Sequence, residues 1–117
     1  MPGNVERGMV FGTKIGPENR RFVVIQNDIG NRYSHLYIVA ALKSERSIQT
    51  PPRFWVHVPR GQSGWEGEGG LKNEDSYVQC NRIGTVDERR LAEFVGKLST
   101  PIMQEVNMVL RISLALD

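Results

Sequence analysis

Two apolar β-type runs separated by a short polar segment do most to limit what this chain can fold into. Phe22-Val-Val-Ile25 and Leu36-Tyr-Ile-Val-Ala-Ala-Leu42 flank Gln26-Asn-Asp-Ile-Gly-Asn-Arg32. The flanks are rich in β-branched and aromatic residues, while Asn, Asp and Gly suit tight, positive-φ turns. The pattern predicts two strands meeting at a loop rich in hydrogen-bonding side chains. The second run is apolar without interruption, which predicts a strand buried on both faces.

Other elements line up around this pair. Met9, Phe11, Thr13 and Ile15 share one face of a first strand, which Gly16-Pro17 ends. The next strand runs from about Arg21 to Gln26. Thr50-Pro51-Pro52 interrupts the chain before residues 53–58, where Phe54, Val56 and Val58 alternate with Trp55 and His57. Residues 59–75 are glycine-rich and read as a long connection. Residues 76–81 predict another strand, with a short further one at 83–86. Thr85-x-x-Glu88 is a capping-box pattern, and it predicts a helix striped by Leu91, Phe94, Val95 and Leu98. Thr100-Pro101 predicts a second N-cap with Pro at the first helical position, followed by Ile102, Val106, Val109 and Leu110 at helical spacing to about Leu114. Strands first and helices last, with no internal repeat, predict an α+β class: a small curled sheet or barrel with helices packed on it.

At 117 residues the chain is predicted to be one domain, able to bury a core without disulfide or metal staples. No apolar run approaches the roughly 20 residues of a membrane helix, and residues 1–4 lead into charges rather than a signal-like stretch. A cytoplasmic location is expected. Cys80 is the single cysteine, so no internal disulfide can form; it is expected to be a buried small hydrophobe. No metal-ligand spacing surrounds it, and neither metal nor cofactor is expected. A net charge of +2 permits nucleic-acid binding without demanding it.

The central phrase closely resembles the hairpin of the MazF/PemK family of toxin endoribonucleases, in which a VIQNDIGNR(F/Y)S phrase precedes an IVA-type strand. Further matching segments stand in the right order: Arg7-Gly8 before Val10 and Phe11; Gly16-Pro17; Glu68-Gly-Gly-Leu-Lys72; Ile83-x-Thr85-x-Asp87-x-x-Arg90-Leu91; Gly96-Lys97-Leu98; and the ending Arg111–Leu116. The resemblance implies an SH3-like β-barrel of the MazF/CcdB toxin type with a few helices, working as a homodimer. It also implies a type II toxin that cleaves single-stranded RNA without metal and is neutralised by a MazE-like antitoxin. The reaction is attack of a 2′-OH on the adjacent phosphate, leaving a 2′,3′-cyclic phosphate and a 5′-OH.

The implied catalytic residues are Arg20, which matches the family's Arg at the start of the second strand, and Ser44. Arg suits phosphate because its donors are always charged and fork-shaped. Arg21 stands where the family usually has Pro. The family's hydroxyl position falls on Lys43, with Ser44 one residue later; in a strand, that slip points a side chain to the other face. Lys43 can bind phosphate as a point charge. Only Glu18-Asn19 separates Gly16-Pro17 from Arg20, where the family carries a longer loop. The family's Glu-Gln-Ile-Arg-Thr becomes Asn81-Arg82-Ile83-Gly84-Thr85. Arg21, Lys43, Asn81 and Arg82 are the expected RNA-binding residues.

Each reading has a plainer counterpart. Arg20 and Arg21 suit an exposed strand start, Ser44 a loop hydroxyl, and Asn81 and Arg82 an edge-strand surface. His35 and His57 invite comparison with two-histidine ribonucleases, but nothing in the sequence places them together. Trp55, Trp65 and Tyr33 are aromatic enough to stack on bases, Trp65 from a glycine-rich loop and Trp55 as a dimer or surface residue. The departures from the family also raise two alternatives: a catalytically impaired RNA- or antitoxin-binding protein, and, by fold analogy alone, a gyrase-directed toxin.

Overall fold

Apolar alternation sets the strands, and the strands assemble into one curled antiparallel sheet. In the computed structural model, which describes residues 5–15, 18–45 and 48–115, β1 (Met9–Ile15) and β2 (Glu18–Val24) pair with Val10 opposite Val23 and Phe11 opposite Phe22. The predicted stop at Gly16-Pro17 and Leu116, the last residue of the matching C-terminal segment, lie outside the described residues. β3 (Leu36–Ser44), β4 (Trp55–Val58), β5 (Trp65–Glu66), β6 (Ser76–Asp87) and β7 (Glu93–Leu98) complete the sheet, in the order β4-β6-β3-β2-β1-β7-β5. The result is a half-barrel of the expected α+β class.

Neighbouring side chains on a strand point to opposite faces, so the sheet carries two cores. Val10, Val23, Ala40, Val56, Val78 and Leu98 pack on one face beneath the C-terminal helix α2 (Thr100–Ser113), which contributes Val106 and Leu110. Phe11, Val24, Tyr37, Val39 and Leu91 pack on the other. Burying a side chain of this kind is worth roughly 1.5–3 kcal/mol.

The two central strands pair as predicted, Arg21 opposite Leu42 and Val24 opposite Val39. Their connection is not a turn. It is a short helix, α1 (Asp28–Tyr33), whose first turn is capped by the Asn27 side chain accepting from the Gly30 amide at 2.7 Å. Asn31 donates back to the Gln26 carbonyl, and Asp28 accepts from the Arg7 amide at 2.7 Å. Short polar side chains that favour turns also make good helix caps, and here the cap prevails. β3 is not buried on both faces either: Leu36 and Ile38 are 50% and 44% exposed.

Two predicted strands are one. β6 runs unbroken from Ser76 to Asp87, with a register break that sets Ala40 opposite Ile83 but Ala41 opposite Gln79. The predicted helix over 88–98 is absent. A 3-10 turn at Glu88–Arg90 leads into β7, and the Asp87 side chain accepts from the Arg89 amide. Gly96 explains the strand. A Cβ there would lie 2.6 Å from the Gly70 nitrogen, and the indole of Trp65 is close by. Trp65 pairs with Leu98 and is buried, so it is a core residue and not a loop aromatic open to nucleotides. The last helix begins one residue early, with Ser99 at its N-cap in place of Thr100.

Candidate active site

Strand register brings the cationic candidates together. A cleft of about 620 Å³ is lined by Arg20, Arg21, Lys43, Ser44, Gln79, Arg82 and Gly84, over apolar walls of Phe22, Ala41, Leu42 and Ile83. Five of the six predicted site residues therefore meet in one place. Asn81 is exposed on β6 but does not line the cleft. The register break in β6 opposite Ala40 and Ala41 lies beside it, which is how Arg82 and Gly84 reach the same opening.

Alternation divides these residues between two faces. Val23 and Ala40 face α2. Arg21 and Leu42, paired with each other, share that side, and Ser44 follows Leu42 by two residues. Arg20 and Lys43 fall on the opposite side with Phe22 and Ala41. Contacts agree with this division: Arg21 Nη1 donates to Ser44 Oγ at 3.2 Å. Both are tied to an acidic residue that the sequence did not flag. Ser44 Oγ donates to Glu74 Oε1 at 2.5 Å, and Arg21 Nη1 lies 3.4 Å from the same oxygen. The predicted pair Arg20 and Ser44 thus belong to different rows of the cleft.

On the Arg20 side an aromatic shelf adjoins the cleft. Trp55 lies opposite Gln79, and His57 opposite Tyr77. Tyr77 in turn lies opposite Lys43. The His57 and Tyr77 rings stack at 4.9 Å, and Trp55 is tilted against Tyr77 at 6.0 Å. Lys43 Nζ stands 5.8 Å from the Trp55 ring centroid and 3.7 Å from Glu45. His57 bonds Asp75 at 2.8 Å, and this bond, helped by Arg60, holds the Asp75 carboxyl below the usual carboxylate range. His35 bonds Glu88 near the far end of β6. The two histidines therefore bond separate carboxylates, far from each other along β6.

Cys80 is fully buried, and burial pushes its thiol up to about 11, as expected of an inert core cysteine. Among the described residues, no group of three or more His, Cys, Asp or Glu is placed to hold a metal ion. No helix among the described residues is long and apolar enough to cross a membrane.

Comparison with known proteins matches residues 6–114 to the family described as PemK-like, MazF-like toxin of type II toxin-antitoxin system. The chain is 34% identical over 119 residues to Endoribonuclease EndoA of Bacillus subtilis, covering 96% of each protein. It is 37% identical to Endoribonuclease MazF of Staphylococcus saprophyticus, over 96% of this chain and 92% of that protein. Among solved structures, it resembles a mycobacterial endoribonuclease in complex with its cognate antitoxin (TM-score 0.78, 22% identity, 97% and 98% coverage). A MazE-MazF structure from Deinococcus radiodurans matches at TM-score 0.71 and 20% identity, covering 97% of each chain.

Proposed function

The chain belongs to the PemK-like, MazF-like toxin family of type II toxin–antitoxin systems, and from that premise we propose that it is a cytoplasmic, metal-free endoribonuclease. It cuts single-stranded RNA, acts as a homodimer and is held in check by a MazE-like antitoxin. The observation that carries this reading is the convergence of Arg20, Arg21, Lys43 and Arg82 on one cleft.

The reaction needs little besides charge and proton transfer. The 2′-OH loses its proton and its oxygen bonds to the adjacent phosphorus. The bond from phosphorus to the 5′-oxygen breaks, and that oxygen leaves with a proton. Negative charge builds on the phosphoryl oxygens in between, so fixed cations lower the barrier. Arg20 and Lys43 share one row and are assigned to the transferring phosphate. Ser44 is assigned a hydrogen-bonding role from the other row, where Arg21 and Glu74 fix its hydroxyl. Arg82 holds a flanking phosphate, while Arg21 is engaged by Glu74.

Arg20→Ala is expected to lower single-turnover cleavage on the order of a hundredfold to a thousandfold. Ser44→Ala should cost less, because its row lies across the strand. The assay is cleavage of a long single-stranded RNA in EDTA, with detection of the cyclic phosphate end. An Arg20→Ala protein that cuts as fast as the wild type removes Arg20 from the mechanism. A wild-type protein that binds RNA yet leaves it intact supports the alternative of an impaired binder, which the separation of Arg20 from Ser44 favours.

A further inference from the structure

Gln79 is 4% exposed, and among the described residues its side-chain amide has no hydrogen-bond partner. It is not sealed off: neither of its amide atoms is among the buried orphan groups, and the residue lines the cleft. The amide atoms therefore meet solvent through the cleft, where a ligand's polar edge can take the place of water. Its neighbours across the sheet are Trp55 on β4 and Ala41 on β3. Directly opposed side chains on an antiparallel pair sit about 5 Å apart at Cβ. The large half-buried indole therefore flanks the amide on one side, and the small methyl of Ala41 leaves room on the other. Tyr77, stacked against His57, also packs tilted against the indole. Lys43 holds its ammonium over the indole, 5.8 Å from the ring centroid, and a base that stacks there displaces this flexible side chain toward the adjacent phosphate.

We propose that Gln79 and Trp55 form a nucleobase slot next to the cleavage cleft, where Trp55 stacks one unpaired RNA base and the Gln79 amide reads that base's hydrogen-bonding edge. The slot rests on the RNA-cleaving reading above and adds a specificity-determining residue to it. The side-chain amide offers a donor and an acceptor next to each other, which suits the edge of an unstacked base. Adenine, with an amino donor beside a ring-nitrogen acceptor, is the best match. Stacking on Trp55 supplies affinity without regard to base identity, and Lys43 meets the phosphate next to the seated nucleotide.

The test uses 2′-O-methyl oligonucleotides, which bind but lack the attacking hydroxyl, in a series varied one base at a time. Trp55 and Trp65 are the two tryptophans of the chain, and Trp65 is 3% exposed, so quenching on binding reports Trp55. The wild type should show quenching and roughly a tenfold or greater preference for one base at one position. Gln79→Leu keeps the volume of the side chain and removes the amide; it should flatten the preference at that position while leaving other positions unchanged. Trp55→Leu, followed by anisotropy of a labelled oligonucleotide, should weaken every sequence by about fivefold or more. Mapping of cleavage sites in natural RNA should show the same relaxed position in Gln79→Leu. A folded Gln79→Leu protein that keeps the wild-type preference and cleavage word refutes the slot and leaves the endoribonuclease reading standing. A Gln79-dependent base preference in a protein that never cuts supports the slot and refutes the reaction.

Discussion

At the scale of single residues, Glu74 has the greatest leverage on the cleft. Its carboxylate accepts from Ser44 and sits against Arg21, so it occupies a cation that a phosphate would otherwise meet. The Arg21 and Glu74 side chains are about two-fifths exposed, so this ion pair adds little to stability. Its effect belongs to binding. Glu74→Gln keeps the shape and removes the charge; it should tighten RNA binding several-fold. It should also steepen the salt dependence, since one more phosphate contact on a single strand adds about 0.7 to the log–log slope. Binding titrations at several salt concentrations check this, and weaker binding in Glu74→Gln would show that the carboxylate holds Arg21 in its working position. The cations of this cleft were readable from the chain because the resemblance put Arg20 at a strand edge and Lys43-Ser44 at the next strand's exit. Glu74 was not readable. It lies in a glycine-rich connection 30 residues from Ser44, and nothing local marks which strand end it will meet. Gln79 was hidden for another reason: it stands in an ordinary-looking strand, where only the missing hydrogen bond distinguishes it.

Elements follow local pattern until a long-range contact overrules it. The β2–β3 pairing was legible because two apolar runs this close have few other partners. Residues 88–98 were not. Leu91, Phe94, Val95 and Leu98 fall at helical spacing, yet Phe94 is 52% exposed in β7 and packs edge-on against Phe11 at 5.6 Å. What decides the matter is Gly96 fitting against Gly70 beneath Trp65, a contact between segments distant in sequence. The same kind of long-range tie fastens β4 to the start of β6. Asp75 accepts from His57 and from the Arg60 amide at 3.2 Å, and its carboxyl is held below its ordinary value, first by the His57 hydrogen bond. A depressed folded-state value means that the unfolded chain binds the proton more readily. The stabilisation is then present above about pH 4, where an unfolded Asp is ionised, and is lost as pH falls through the folded-state value. Asp75→Asn should therefore be less stable than wild type at pH 7, and the gap should narrow on going from about pH 4 to pH 3. Urea midpoints measured across that range test the sign; a gap that widens in acid contradicts it.

The whole molecule leaves one face of the sheet unfinished. Ala40 and Cys80 lie under α2, but the helix ends near Cys80, where Ser113 Oγ reaches the Cys80 carbonyl at 3.5 Å. Beyond that point the same face continues as Leu36, Ile38 and Ile83, all substantially exposed, with Ile112 and Leu114 exposed at the helix end. Apolar residues grouped this way are the usual mark of a surface that is covered in the working assembly. The homodimer proposed above supplies the cover, and a twofold axis needs only one self-complementary patch. Ile38 lies near the middle of the stripe and is exposed in the single chain, so Ile38→Asp should fold as well as wild type. Placed against its own copy, the same aspartate would be buried without a partner, a strongly unfavourable arrangement. Sedimentation at micromolar concentration should then find wild type as a dimer and Ile38→Asp as a folded monomer. A wild type that sediments as a monomer, or an Ile38→Asp protein that remains a dimer, would move the interface away from this face. Ile38 does not line the cleft, whereas Ile83 both lines it and belongs to the stripe, so the monomeric variant also tests whether assembly and binding are separable. If each cleft is complete within one chain, Ile38→Asp should keep wild-type affinity for a short 2′-O-methyl oligonucleotide. A large loss of affinity in a well-folded monomer would mean that the second copy finishes the site.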